Sequence, residues 1–537
     1  MKNKKAMTVL AVLIVILAGC LRFYKLGQVP LSLDWDEASL GYNAYSLLKT
    51  GKDEFGNLLP INLRSFEDYK PALYSYLTII PVGLFGLTEF SVRFVSALAG
   101  TLTVLVVYLT MRHAPYAAIA GFLLAISPWH LQFSRIAFEV NLGLFFFSLG
   151  VFFIFEVPPA GGTKRLGILS FLTSAVAFVL AMYSYHSFRL IVPVFVILVF
   201  LFRFKQFLKQ KKTVLVSLFI ALILLIPLLG SFLNQEGQAR FSSVTTLTPT
   251  GTLDRSIRLM DYDRKIDSLF SVLHNRRIVY FLTAIKGYLD HFAPNFLFLI
   301  GDHSLRHHIL NHGMFYIWQL PLIIIGMIYL LKKKSRYSLM LWLWLLVAPL
   351  ASALTSGTPH AVRAILMVVP LTIFSAIGLW RANLMLKTKK ILLLSVYLLL
   401  IILTARYFVQ YYYIYPKQAA RDWQYGFKQV VEFIQTENQT KLPTIVTYEY
   451  DQPHIFFMFY QQTDPTEYQQ KWANNPIERF ERSFDNYQFR KINWAEDQQL
   501  QDVYIVAAAS EVPDNPPGLI KEIYFPDGTP AFKIIKK

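Results

Sequence analysis

The stretch from Pro30 to Tyr76 concentrates groups that can move protons and bind anions. Asp36 and Glu37 stand together in Leu33-Asp34-Trp35-Asp36-Glu37, soon after a hydrophobic run. A carboxylate there could accept a proton from a hydroxyl as that hydroxyl attacks. Helix N-capping is the other use of acidic residues in such a place, since they accept backbone N–H bonds and complement the helix dipole. Lys70, in Tyr69-Lys70-Pro71, could hold a phosphate as a point charge, or snorkel at the start of a helix.

Three short turns carry further polar groups. Ser134-Arg135 and Glu139 share one, Tyr183 to Arg189 with His186 forms the next, and Thr355 to Arg363 with His360 forms a third. Arg135, Arg189 and Arg363 could add bidentate phosphate contacts, or anchor lipid headgroups. Asp302-His303 with His307-His308 and His312 has partial metal-ligand spacing, because histidines four apart share a helix face. Asp302, His303 and His307 are therefore candidate ligands for a divalent metal, with an anion-binding turn as the alternative. There is no P-loop, no strand followed by GxGxxG and no nucleophile elbow, which argues against a nucleotide-fuelled enzyme.

The elements that must position these groups are membrane spans. The chain has 537 residues, 54% hydrophobic and only 16% charged, with a mean hydropathy of +0.40. Soluble domains carry about a quarter charged residues, so this is a polytopic membrane protein. The net charge of +18 does not indicate nucleic-acid binding. The basic residues fall in short clusters between apolar runs, as the positive-inside rule requires. The single cysteine, Cys20, excludes a disulfide framework. Leu17-Ala18-Gly19-Cys20 resembles a lipoprotein signal, but the many spans that follow favour a first transmembrane helix.

Apolar length and loop charge predict about eleven spans. They cover residues 6–24, 91–111, 115–133, 137–155, 166–183, 190–202, 214–232, 313–331, 339–354, 362–380 and 391–409. Segments 25–90 and 233–312 are then outer loops. Residues 71–87 are apolar enough to span, yet counting them would put every later basic cluster outside. They read instead as an interfacial helix broken near Pro81 and Gly83. The membrane domain ends near residue 410. Residues 411–537 read as a small extracytoplasmic α/β domain, with strands at 443–448 and 502–507 and helix around 422–436. Asn438-Gln439-Thr440 is a formal glycosylation sequon of a kind common by chance.

On these residues the chain resembles the polyprenyl-phosphate-sugar-dependent glycosyltransferases of GT-C fold. Within them it is similar to the protein O-mannosyltransferase and aminoarabinose transferase branch. The resemblance covers about residues 6–410. It rests on Asp36-Glu37, on Lys70-Pro71-Ala72-Leu73-Tyr74 followed by Glu89-Phe90-Ser91-Val92-Arg93-Phe94, and on Ser134-Arg135 with Glu139. Ala72 stands where the family motif has a second proline, and Glu139 where it often has aspartate. The resemblance implies a sugar donor on a polyprenyl or dolichyl monophosphate and an acceptor on a protein, lipid or glycan. Asp36 would be the base, with Glu37 and Glu139 as further acidic candidates, and Lys70 would hold the phosphate. Tyr74, His186, His307 and His308 are candidates to line the substrate pocket. Some relatives use a divalent metal, so a metal is left open. The expected location is a bacterial plasma membrane, N-terminus cytoplasmic. A ligase or polymerase of lipid-linked oligosaccharides is one alternative. A transporter or flippase of lipid-linked sugars is another, but it should place charges in mid-membrane broken helices.

Overall fold

The computed structural model describes residues 2–66, 68–156, 164–233, 249–266, 274–333, 335–473 and 482–537. Parts of the expected outer loop 233–312, namely 234–248 and 267–273, lie outside the described residues, as does Lys334 of the basic cluster 332–334.

Among the described residues, seven helices are long and apolar enough to cross a membrane: Lys5–Phe23, Glu89–Met111, Glu139–Glu156, Gly167–Ser184, Lys211–Ser231, Ile365–Leu386 and Lys390–Gln418. An eighth candidate is the pair Ala117–Ala125 and Pro128–Ser134, bent by 57°. The other three expected spans correspond to shorter apolar helices, Phe188–Phe202, Gln319–Lys332 and Tyr337–Ala353. The protein is thus an integral membrane protein; among the described residues seven or eight helices meet the spanning length, and the rest of the eleven expected spans fall on shorter apolar helices. The first span runs unbroken past Cys20 to Phe23.

The expected interfacial helix is present as Leu73–Phe85, but it is not broken where expected. Pro81 lies inside it, and the helix stops at Gly86, which has φ +77° and whose N–H donates to Val82 O at 2.9 Å. A proline near a helix's C-terminal end removes one hydrogen bond; the glycine, free to adopt positive φ, ends it.

The chain forms two compact units. The first comprises Met1–Arg22, Ala99–Phe133 and Glu139–Thr404. In it the helices Gln319–Lys332 and Val368–Leu386 pack through reciprocal glycines. A Cβ at Gly326 would lie 1.9 Å from Phe374 O, and one at Gly378 would lie 1.9 Å from Leu322 O. In lipid, where burial of apolar surface gives little net drive between helices, such close backbone approach supplies the packing.

The second unit comprises Phe23–Leu98, Ser134–Phe138 and Ala405–Lys537, so the tail folds together with the segment after the first helix. The hairpin β1 (Asn62–Ser65) and β2 (Asp68–Pro71) is antiparallel, with Lys70 opposite Leu63. The tail carries β3 (Thr444–Val446), β4 (Arg482–Phe484), β5 (Tyr487–Phe489), β6 (Tyr504–Ala508), β7 (Leu519–Tyr524) and β8 (Pro530–Lys536). These form one mixed sheet in the order β4-β5-β3-β6-β8-β7, with β3 parallel to both β5 and β6. The strands expected at 443–448 and 502–507 are β3 and β6, both fully buried. Helix Phe427–Glu437 buries Phe427, Val430, Val431 and Ile434, a helical 3-4 spacing. Asn438 of the sequon is buried and donates to Leu442 O and Thr444 Oγ1, so it serves the fold.

Gly378→Ala is expected to lower the thermal unfolding midpoint in detergent, by an amount corresponding to about 1–3 kcal/mol of overpacking. Gly230→Ala, where a Cβ meets open space, is expected to leave the midpoint in place. Unfolding monitored by circular dichroism compares the two.

Candidate functional site

Helix Trp35–Thr50 sets up the acidic pair. Asp34 is its N-cap, accepting from Glu37 N–H at 2.8 Å. The capping role therefore falls to Asp34, and Asp36 and Glu37 occupy the first turn. The helix rotation sends the two carboxylates to different partners.

Glu37 is fully buried and bound by Arg93, with Nε to Oε1 at 2.9 Å and Nη2 to Oε2 at 2.8 Å. Its Oε1 also accepts from Ala137 N–H at 2.7 Å. Arg93 donates further to the carbonyls of Leu26, Pro30 and Ser32. Glu37, expected to share in the acid–base chemistry, is thus a structural carboxylate, because both its oxygens are committed to a buried guanidinium.

Asp36 is paired with Lys70 Nζ, and its side chain keeps 36% of its exposure against 14% for the lysine. Lys70 also lies over the Phe66 ring, 6.0 Å from its centroid. Tyr74 is buried with its hydroxyl donating to Val92 O at 2.8 Å, which makes it a packing residue in place of the pocket residue expected. Arg135 is buried too, donating to Val29 O at 3.1 Å and Lys25 O at 3.3 Å, with its guanidinium 5.0 Å from the Tyr412 ring centroid. Through these contacts it braces the 25–29 turn.

The tail reaches this helix directly. Gln424 Oε1 accepts from Trp35 N–H at 2.9 Å, while its Nε2 donates to the carbonyls of Tyr450 and Asp451. Tyr42 hydroxyl donates to Thr463 O at 3.1 Å, and Gln469 Nε2 donates to Ser46 Oγ, Thr50 Oγ1 and Asp53 O. Sequence reasoning missed Gln424, because a lone glutamine in a tail carries no pattern. Arg93 stood within the resemblance motif but was given no role, although a charge inside an apolar run is itself a signal.

Glu54 was missed as well. It is buried, accepts from Asn43 Nδ2 at 3.1 Å, and its Oε2 has no hydrogen-bond partner. Burial pushes its carboxyl up to about 7, against the opposing pull of Arg482 and the Asn43 hydrogen bond. Arg482 in turn donates to His454 Nε2 at 2.6 Å and to Tyr468 hydroxyl at 3.2 Å. Burial, with the Arg482 charge, holds the His454 imidazole well below its ordinary range.

In the first unit, Glu139 is buried in the first turn of helix Glu139–Glu156. Arg189 and His186 are half-buried; the Arg189 N–H bonds His186 O at 3.1 Å. Arg363 holds its own loop, donating to Thr355 Oγ1 at 2.7 Å and Ser356 O at 2.9 Å. His308 places its two ring nitrogens on the carbonyls of Ile309 and Asp302, at 2.8 and 2.7 Å, and so fastens the loop rather than facing a substrate. His303 is exposed and outside the cluster expected of it. His360 joins Asp302 and His307 instead, with one ligand atom from each of the three within 4.8 Å of the others. His303 fails because 302–313 is an irregular loop, so helical spacing does not apply. Burial would raise the Asp302 carboxyl, but His307, His360 and the Ala361 N–H hold it below its usual range. Burial pushes the His360 imidazole down to about 3, with the Arg363 charge acting the same way.

Residues 69–230 match the family model described as dolichyl-phosphate-mannose-protein mannosyltransferase. No curated protein matches the sequence. Among solved structures, ArnT of Cupriavidus metallidurans is similar at 12% identity and a TM-score of 0.58, over 99% of this chain and 98% of that one. The same protein bound to undecaprenyl phosphate matches at the same score, over 97% of each chain. An oligosaccharyltransferase of Archaeoglobus fulgidus, tethered to an acceptor peptide, is similar at 13% identity and a TM-score of 0.52, over 98% of this chain and 74% of that one. The chain thus shares the fold of ArnT, and its residues 69–230 match a mannosyltransferase family model. The resemblance read from Asp36-Glu37, Lys70 and Arg135 is borne out at that level.

The raised Glu54 carboxyl contributes stability that is fully present below its ordinary pKa of about 4.5 and is lost as pH climbs toward about 7. Wild type is expected to lose roughly 3 kcal/mol of stability from this group between pH 5 and 8. Glu54→Gln should flatten that part of the profile and exceed wild type at pH 8, as thermal midpoints across pH would show.

Proposed function

We propose that this chain moves a sugar from a polyprenyl-monophosphate donor to an acceptor hydroxyl at the extracytoplasmic face of a bacterial plasma membrane, with inversion at the anomeric carbon. The observation that carries the reading is the Asp36–Lys70 pair, a partly exposed carboxylate joined to a shielded ammonium. Before donor binds, each group neutralises the other. An arriving lipid phosphate competes for Lys70 and releases Asp36 to act as base.

The acceptor oxygen then attacks the anomeric carbon opposite the phosphate and passes its proton to Asp36. The bond from that carbon to the phosphate oxygen breaks, and Lys70 stabilises the charge left on the lipid phosphate. The leaving phosphate needs no proton, so a second catalytic carboxylate is not required; Glu37 remains with Arg93. Support for a lipid-phosphate donor comes from the ArnT structure bound to undecaprenyl phosphate and from the mannosyltransferase family match. Arg189, Arg363, His186 and Glu139 belong to the first unit and have no part in this step.

Purified protein in lipid, given labelled polyprenyl-phosphate hexoses, should release free lipid phosphate only when acceptor is present. Asp36→Asn is expected to lower turnover by about 10²–10⁴-fold while retaining donor binding. Lys70→Ala should weaken donor binding as well as turnover. Release that needs no Asp36, or that occurs only from pyrophosphate-linked oligosaccharide, would favour a ligase instead. For sidedness, a cysteine at the exposed Asp514 in a Cys20→Ala background should react with an impermeant maleimide added outside intact cells.

A further inference from the structure

Asp302, His307 and His360 bring three metal-ligating side chains together from two loops of the first unit. Asp302 Oδ2 lies 3.0 Å from His307 Nδ1 and 4.0 Å from His360 Nδ1. The two imidazole rings lie 5.4 Å apart, tilted by 37°. His360 Nδ1 is buried, faces this group and has no hydrogen-bond partner. A buried ring nitrogen left so is costly unless something accepts its lone pair or its proton.

The surroundings fix these side chains as an outer shell does around a metal. Ala361 N–H donates to Asp302 Oδ2, and Ser304 N–H to Oδ1 at 3.3 Å. His360 N–H donates to His291 Nε2 at 3.1 Å; the other nitrogen of that ring sits 2.7 Å from Gly287 O. That bond sets His291 as the Nδ1–H tautomer and orients the His360 backbone. The adverse charge of Arg363 is drawn toward Thr355 and Ser356.

The geometry points to a site for a first-row divalent metal of the zinc class, formed by Asp302, His307 and His360, which cross-links the loop 301–313 to the loop 354–364. Two imidazoles and one carboxylate suit zinc better than magnesium or calcium, which prefer all-oxygen sets. Tetrahedral bonds of about 2.0–2.2 Å place ligand atoms roughly 3.3 Å apart, so the widest pair must close by about 1.5 Å, within reach of small side-chain rotations. Three protein ligands leave one tetrahedral position open.

The test uses tag-free, full-length protein in detergent, stripped with chelator and titrated with Zn²⁺ against a chromogenic chelator. Wild type should bind one equivalent, and Co²⁺ in its place should give the visible d–d bands of a four-coordinate site. His307→Ala and His360→Ala should each weaken binding more than about 100-fold, beyond what an outer-shell change does. His303→Ala should bind as wild type does. His360→Cys keeps a ligand, so it should retain the metal and add a thiolate-to-Co²⁺ charge-transfer band, which separates ligation from a folding role. Wild type that takes up no stoichiometric metal, or His360→Ala and His360→Cys proteins that match its affinity and spectrum, would overturn the site and leave a histidine–aspartate ion pair.

Discussion

The buried pair between Glu37 and Arg93 governs the second unit. Arg93 sits in the helix Glu89–Met111 and Glu37 in the helix Trp35–Thr50, and neither is exposed. An unpartnered charge in such a place is prohibitive, and removal of one partner from a buried pair typically costs about 3–5 kcal/mol. Here the pair is tolerated because every guanidinium N–H has an acceptor and both carboxylate oxygens have a donor. Ala137 N–H satisfies Glu37, and three carbonyls of the 26–32 turn receive Arg93. One guanidinium thus fixes the end of a span, the turn after the first helix and the start of the helix that bears Asp36.

Seen this way, the neighbouring acids divide their labour by orientation. Asp34 caps, Asp36 faces Lys70 on the hairpin, and Glu37 points inward. Local sequence could name the three but could not apportion the roles, since the apportioning depends on Arg93, 56 positions away from Glu37. The same holds for Arg135 and Tyr74. Both were recognisable as members of a motif, and both turn out to hold backbone carbonyls in place.

The membrane character and the approximate positions of the helices were legible because hydropathy over about 20 residues is a local property. Residues 73–85, which the positive-inside pattern left out of the span count, form an apolar helix shorter than a free-standing span. Span number was less legible, since helices such as Phe188–Phe202 are shorter than a free-standing span. In the metal cluster, helical spacing pointed to His303, whereas an irregular loop turned that residue outward and brought in His360 from far along the chain. Glu54 and Gln424 act only through tertiary burial and backbone contacts, which no short pattern encodes.

The Gln424 amide has an implication for how such proteins can be rearranged. Its oxygen holds the first N–H of the Asp36 helix, and its nitrogen holds the loop carrying Tyr450 and Asp451. The tail is therefore not an accessory that could be exchanged between homologues like a cassette. A chimera joined at the end of the last span would keep Asp36 and Lys70, yet would inherit a foreign partner for the peptide N–H of Trp35. Divergence in the tail and in residues 30–76 should accordingly proceed together, as two halves of one surface rather than as catalyst and attachment.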